Sequence, residues 1–312
     1  MDDFIQMIQK KEEEEGEDLE FALIDRRPRS CAEAPVKNVT LKLQKDRDEL
    51  FYYLLEEGAS INIQDKFGLN ALMLSAKYGR NNYIKSLLRR KDCAVNDQDL
   101  DGSTALHFAA EKGEAKIVRV LLSRSDIDVM ARNNKGLTAL VKAAENGQEK
   151  IVRIFLARKD CDLNAQTKAG WTALHWSSCK GDEGITKALI ERKDCKLNLS
   201  DGVGRTPLLI AASWGHLDII KLLIAREECD RNASNYLQFN PLYYALYMCN
   251  EKVAKFLIEE EVCDLNHESI AHETPLFLSL KLGFDEITKL LKDKNAKLIT
   301  DQLIKEHIEN GM

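Results

Sequence analysis

A 34-residue period constrains this chain more than any other feature. Glycines recur at Gly68, Gly102, Gly136, Gly170 and Gly204, and the register continues through Gln238 and His272. Four residues after each of these points stands a leucine: Leu72, Leu106, Leu140, Leu174, Leu208, Leu242 and Leu276. Thr or Asn holds the second place of every copy, and Ala or Pro the third. A fixed period in this range marks stacked repeats, in which no unit buries its apolar faces alone and neighbouring units supply the core.

The copy that begins at Gly102 shows the physical logic. Thr104 is placed to cap a short helix that buries Ala105, Leu106, Ala109 and Ala110, and Gly113 then breaks the chain. Ile117, Val118, Leu121 and Leu122 form one apolar stripe of helical period in a second helix. The segment after it ends in Asn or a substitute (Asn96, Met130, Asn164, Asn198, Asn232, Asn266) and crosses polar residues to the next glycine. Gly and Asn suit a tight exposed turn there.

The stretches GSTALHFAA, GWTALHWSS and GRTPLLIAA resemble the TPLHxA signature of the ankyrin repeat, and the resemblance covers residues 34–298. It implies an all-α solenoid of about seven to eight helix–turn–helix units, with short hairpin-like fingers at one edge. The units are one residue longer than the family's usual period of about 33. The extra residue falls between the second helix and the following turn, in segments such as RKDCDLN, and reads as a tolerated loop insertion. The expected organisation is an acidic arm over 1–33, a degenerate first repeat over 34–65, and six clear repeats over 66–269. A capping repeat follows over 270–298, where Lys292 takes an apolar place, and then a capping helix and tail over 299–312.

Charge separates the arm from the repeats. Eleven acids and five bases lie in residues 1–33, so the net charge of −6 of the whole chain belongs to the arm and the repeats balance. That balance argues against a broad electrostatic nucleic-acid surface. The arm solvates the chain or guards a basic surface. Within it, Phe4, Ile5, Met7 and Ile8 suit one short amphipathic helix, and Arg26-Arg27-Pro28-Arg29-Ser30 matches a basophilic kinase site. No apolar run approaches the roughly 20 residues of a membrane span. The N-terminus also lacks the basic-then-apolar pattern of a signal peptide. The expected setting is therefore cytoplasmic and/or nuclear. The three Asn-x-Ser/Thr sequences, at Asn38, Asn198 and Asn232, are expected to be unused there.

Residues of chemically reactive type read as packing. Cys93, Cys161, Cys195, Cys229 and Cys263 occupy one repeat position, which Ile127 fills in another copy. An isoleucine equivalent points to a buried apolar role, and repeats spaced near 10 Å hold such thiols too far apart for disulfides. Of the cysteines off this ladder, Cys31, Cys179 and Cys249, the expected exposed thiol is Cys179. His107 and His175 stand where the ankyrin signature places a histidine that bonds the turn, and Met73, Val141, Leu209, Tyr243 and Phe277 replace it elsewhere. A catalytic base is not interchangeable in that way. No phosphate-cradling loop, nucleophile elbow or zinc-spaced pair is present, so no enzyme activity, cofactor or metal is expected.

The resemblance implies a protein–protein interaction module, an adaptor, scaffold or inhibitor, binding through its concave groove, most simply as a monomer. Two other readings stay open: an IκB-like regulatory inhibitor with a switchable arm, though no paired-serine DSGxxS motif is present, and an oligonucleotide-sensing ankyrin domain. Ligand-facing places in the family are the fingertip, the residue after the origin glycine, and the two residues before the mid-unit glycine. These give Phe67, Leu69, Lys77, Tyr78 and Leu100 early in the chain, and later Trp171, Lys180, Arg205, Trp214, Tyr236, Phe239 and Tyr247. Trp, Tyr and Arg dominate binding hot spots, so these seven are the expected partner site. The competing expectation is that Trp171 and Trp214 pack sideways against neighbouring units.

Overall fold

The computed structural model describes residues 48–298. The arm over 1–33, with Cys31 and the Arg26–Ser30 sequence, and the segment 299–312 lie outside these residues. The described part is all α-helical: a helical segment over 48–56 and seven helix pairs follow one another, with no strand among the described residues. It falls into two compact units, divided between Asn134 and Lys135. Within each unit, first helices pack on first helices and second helices on second helices of the next repeat.

Local chemistry sets the helix ends. Asn70 and Asn240 accept from the backbone N–H three residues on, at 3.0 and 2.9 Å, and Thr274 does so at 3.2 Å. Pro207, Pro241 and Pro275 open three of the first helices, where a missing N–H costs nothing. In two repeats a histidine completes the cap: Nδ1 of His107 and of His175 accepts from the N–H of Thr104 and Thr172, both at 3.1 Å. His175 is fully buried, and that burial lowers its pKa to about 4, so the ring is neutral.

The origin glycines adopt the left-handed conformation, Gly204 with φ +86°. A Cβ there would lie 2.8 Å from the Tyr236 ring and 2.9 Å from its backbone nitrogen. Gln238 and His272 make the same turn with φ 58°, which explains how two copies dispense with glycine.

The interior is mostly aliphatic, with Ile151, Leu189, Ile220, Leu223 and Leu257 fully buried beside the aromatic Phe155. The five ladder cysteines are buried free thiols. Burial pushes Cys93 and Cys229 up to about 11, and Cys161, Cys195 and Cys263 up to about 12.

The edge after the second helices carries a device that the sequence reading passes over. Arg90, Arg124, Arg158 and Arg192 each bind the aspartate two residues on through two parallel N–H bonds, and Arg226 binds Glu228 likewise. A further N–H reaches back to the preceding repeat: Arg90 to Ala59 O at 2.8 Å, Arg124 to Leu88 O at 3.0 Å, Arg192 to Leu156 O at 2.9 Å, and Arg226 to Ile190 O. Beside them run asparagine rungs. Asn164 donates to Asp194 O at 2.8 Å and accepts from Lys196 N at 2.8 Å; Asn198 donates to Glu228 O at 2.7 Å and accepts from Asp230 N at 2.9 Å. Asn62 and Asn96 do the same in the first unit. The segment read as a tolerated insertion is thus tied to its neighbour, and the asparagines join repeats instead of merely shaping a turn.

Candidate functional site

In residues 135–298 the fingers are held by side chains that accept backbone N–H groups. Asp201 Oδ1 accepts from Val203 and Arg205 at 3.0 and 2.8 Å, and Asn235 Oδ1 from Leu237 and Phe239 at 3.0 and 2.9 Å. Each fingertip also donates to the one before it: Lys168 N to Lys135 O at 3.0 Å, Gly202 N to Ala169 O at 2.9 Å, Tyr236 N to Val203 O at 3.3 Å, and Ile270 N to Leu237 O at 3.0 Å. With backbone groups paired in this way, the tip side chains are left to solvent. Tyr236 is 68% exposed, Ile270 63%, and Val203 and Leu237 about half.

A second row lies at the C-terminal ends of the first helices. It consists of Lys180, Trp214, Tyr247 with Met248, and Leu282, all exposed, Trp214 by 59% and Tyr247 by 56%. Three half-buried side chains of the expected site accompany these rows. The Trp171 ring lies 4.6 Å from that of Trp176 at a tilt of 56°, and the Arg205 guanidinium lies 5.7 Å from Trp171. Arg205 is paired at 2.7 Å with Asp201, which is itself buried. Burial alone would raise Asp201, but the bonds from Arg205 and from the backbone outweigh it and hold the carboxyl below the usual range. Phe239 packs among Tyr243, Tyr244 and Tyr247, at 4.4, 5.6 and 5.2 Å.

The seven expected residues therefore divide. Lys180, Trp214, Tyr236 and Tyr247 face solvent, while Trp171, Arg205 and Phe239 sit half-buried against their neighbours. Trp171 packs within its own repeat, against Trp176, with the Arg205 guanidinium of the next repeat beside it; Trp214 is open. Lys168, Val203 and Ile270 were missed, although the register that selected Leu100 and Tyr236 as tips also selects Lys168 and Ile270. The expectation for cysteine is corrected. Cys249 is the exposed thiol and Cys179 is half-buried. Cys249 replaces the mid-unit glycine and takes its left-handed turn at φ 59°, which turns the side chain outward. His216 is structural: it stands at the N-terminal boundary of the helix Leu217–Ile224, and its Nε2 lies 2.9 Å from Cys179 O of the preceding repeat.

The family described as ankyrin repeats, in a three-copy form, matches over residues 41–133, 125–201 and 181–269. The chain belongs to the ankyrin repeat family. No curated protein matches it. Ankyrin repeats are generally protein–protein interaction modules and are typically non-catalytic. Among the described residues no group of three or more His, Cys, Asp and Glu side chains could hold a metal ion, and no helix is long and apolar enough to cross a membrane. Within residues 135–298 each repeat presents one fingertip and one helix end to the two rows.

Proposed function

We propose that this ankyrin repeat protein is an adaptor, scaffold or inhibitor that holds a protein partner on the two rows of residues 135–298. The observation that carries the reading is the adjoining exposure of Val203, Trp214, Tyr236, Leu237, Tyr247, Met248 and Ile270. Adjoining exposed apolar groups mark interaction surfaces, and aromatic residues are enriched among hot spots. Trp171, Arg205 and Phe239 form a support beneath them. Buried free thiols, pushed up by burial, suit a reducing compartment, so the cytoplasm or nucleus is the proposed setting. A comparison of capture by wild-type protein, by Trp214→Ala/Tyr236→Ala and by a control altered on a second helix, Lys187→Ala, tests the reading. Proteins retained by wild type and control but lost by the face variant support it; equal retention by all three overturns it.

A further inference from the structure

Both rows change character at the same repeat. The repeat at Gly170 contributes Lys168 to the fingertip row and Lys180 to the helix-end row. The next repeat contributes Val203 and Trp214, the one after it Tyr236 with Leu237 and Tyr247 with Met248, and the last Ile270 and Leu282. The tip-to-tip hydrogen bonds fix this order. Charge is distributed as unevenly as apolarity. Arg205 is neutralised by Asp201, Lys281 by Glu273 at 2.7 Å, and Lys142 by Glu145 at 3.0 Å. Neither Lys168 nor Lys180 has an ion-pair partner among the described residues. Beyond the first repeat of this unit, whose tip is Lys135, the face thus offers one basic station followed by three apolar ones.

From this polarity we infer that the partner segment is an extended peptide carrying an acidic residue at one end and apolar side chains at about every third position beyond it. The inference rests on the protein-binding reading of the same face. The spacing follows from geometry. Packed helices of neighbouring repeats lie about 8–10 Å apart, and an extended chain of polyproline-II type advances about 3.1 Å per residue with about three residues per turn, so consecutive stations meet side chains about three residues apart on one face of the peptide. The carboxylate reaches Lys168 and Lys180, which exposed ammonium groups on long stems can do without reorganising the backbone. The apolar side chains then meet Trp214, Tyr236, Tyr247 and Ile270 in turn.

The test uses the full-length chain and labelled synthetic peptides, read by fluorescence anisotropy. The probe is Glu-Ser-Ser-Leu-Ser-Ser-Phe-Ser-Ser-Leu, with versions carrying Gln or Lys in place of Glu, each also made in the reversed order. In one of the two orders the Glu peptide is expected to bind on the order of tenfold tighter than the Gln peptide at low salt, and the margin to shrink as salt rises. Lys168→Glu/Lys180→Glu, altered only at exposed positions, should keep its helical circular dichroism and prefer the Lys peptide. If Glu, Gln and Lys peptides bind alike and Trp214→Ala weakens all three, the acidic station is wrong while the protein-binding face stands. If no peptide binds in either order, the peptide pattern is overturned, and the capture comparison judges the face separately. If a short oligouridylate binds these rows and displaces the Glu peptide with a steeper salt dependence, the surface belongs to nucleic acid and both readings fall.

Discussion

The two loop edges of residues 135–298 solve one problem in opposite ways. At each edge, successive repeats must be joined and backbone polar groups satisfied. The edge of Arg192 and Asn198 joins them with side chains: guanidinium forks and amides saturate the neighbouring carbonyls, and their polar atoms are consumed. The finger edge joins them backbone to backbone, through Gly202, Tyr236 and Ile270, and leaves its side chains uncommitted. The difference teaches where function can be carried. An edge that holds repeats together with side chains cannot vary them freely, whereas one that uses main chain can place lysine at one tip, valine at the next and tyrosine at the one after. Isolated exposed ion pairs contribute little, so the first edge draws its strength from the further bonds that Arg192 and Arg226 make to the preceding repeat.

The largest expected effects break the side-chain edge. Arg192→Ala combined with Asn198→Ala removes donors from several backbone carbonyls and should cost about 2–4 kcal/mol of unfolding free energy, measured by urea titration, with peptide binding retained. A loss below about 0.5 kcal/mol would mean that these ladders are decorative.

On the finger side, His175 links its cap to the next finger, its Nε2 lying 3.2 Å from Arg205 O. Its pKa is depressed to about 4 by burial, so the unfolded chain takes up a proton below about 6.5 that the folded chain refuses. Stability contributed by the neutral ring is therefore full above pH 6.5 and is lost as pH falls towards 4, by up to roughly 3 kcal/mol. His175→Leu, the residue that the equivalent position carries as Leu209, should flatten that slope while the helical signal persists. An unchanged slope would show that other groups govern it.

A smaller effect separates the rows from the fold. Trp214→Ala and Tyr236→Ala should each weaken partner binding by about 1–3 kcal/mol and change unfolding free energy by less than about 0.5 kcal/mol, as exposed positions do. Large losses of stability would move these aromatics from the binding face into the packing. Least costly of all should be Cys249→Ser. In a maleimide time course on native protein Cys249 should react first among the described cysteines, Cys179 more slowly, and the five ladder thiols last; labelling of Cys195 at the rate of Cys249 would show that the ladder opens.

The repeat fold was legible because period, caps and apolar stripes agree: Thr104, Leu106 and Gly113 each signal the same helix. The fingertip register was legible too, since counting from the origin glycine locates Tyr236 and Leu237. Burial along that register was not. Trp171 and Phe239 occupy ligand-facing places yet lie against Trp176 and Tyr243, because in these copies an aromatic ring follows the origin as well as standing on the first helix, and a repeat template averages that coincidence away. The arginine clamp was hidden for the opposite reason. RKDC looks like ordinary surface charge, and the carbonyls it binds carry no sequence signature.

The asparagine rungs also set how this protein ages. Each amide donates to one backbone group and accepts from another, as Asn198 does with Glu228 O and Asp230 N. Slow hydrolysis of that amide would replace the N–H by a carboxylate oxygen facing a carbonyl, and an attractive rung would become a repulsive one. Chemical damage too small to alter the mass by more than a dalton would then loosen one repeat from the next, and an old population would be a mixture of chains each loosened at a different rung.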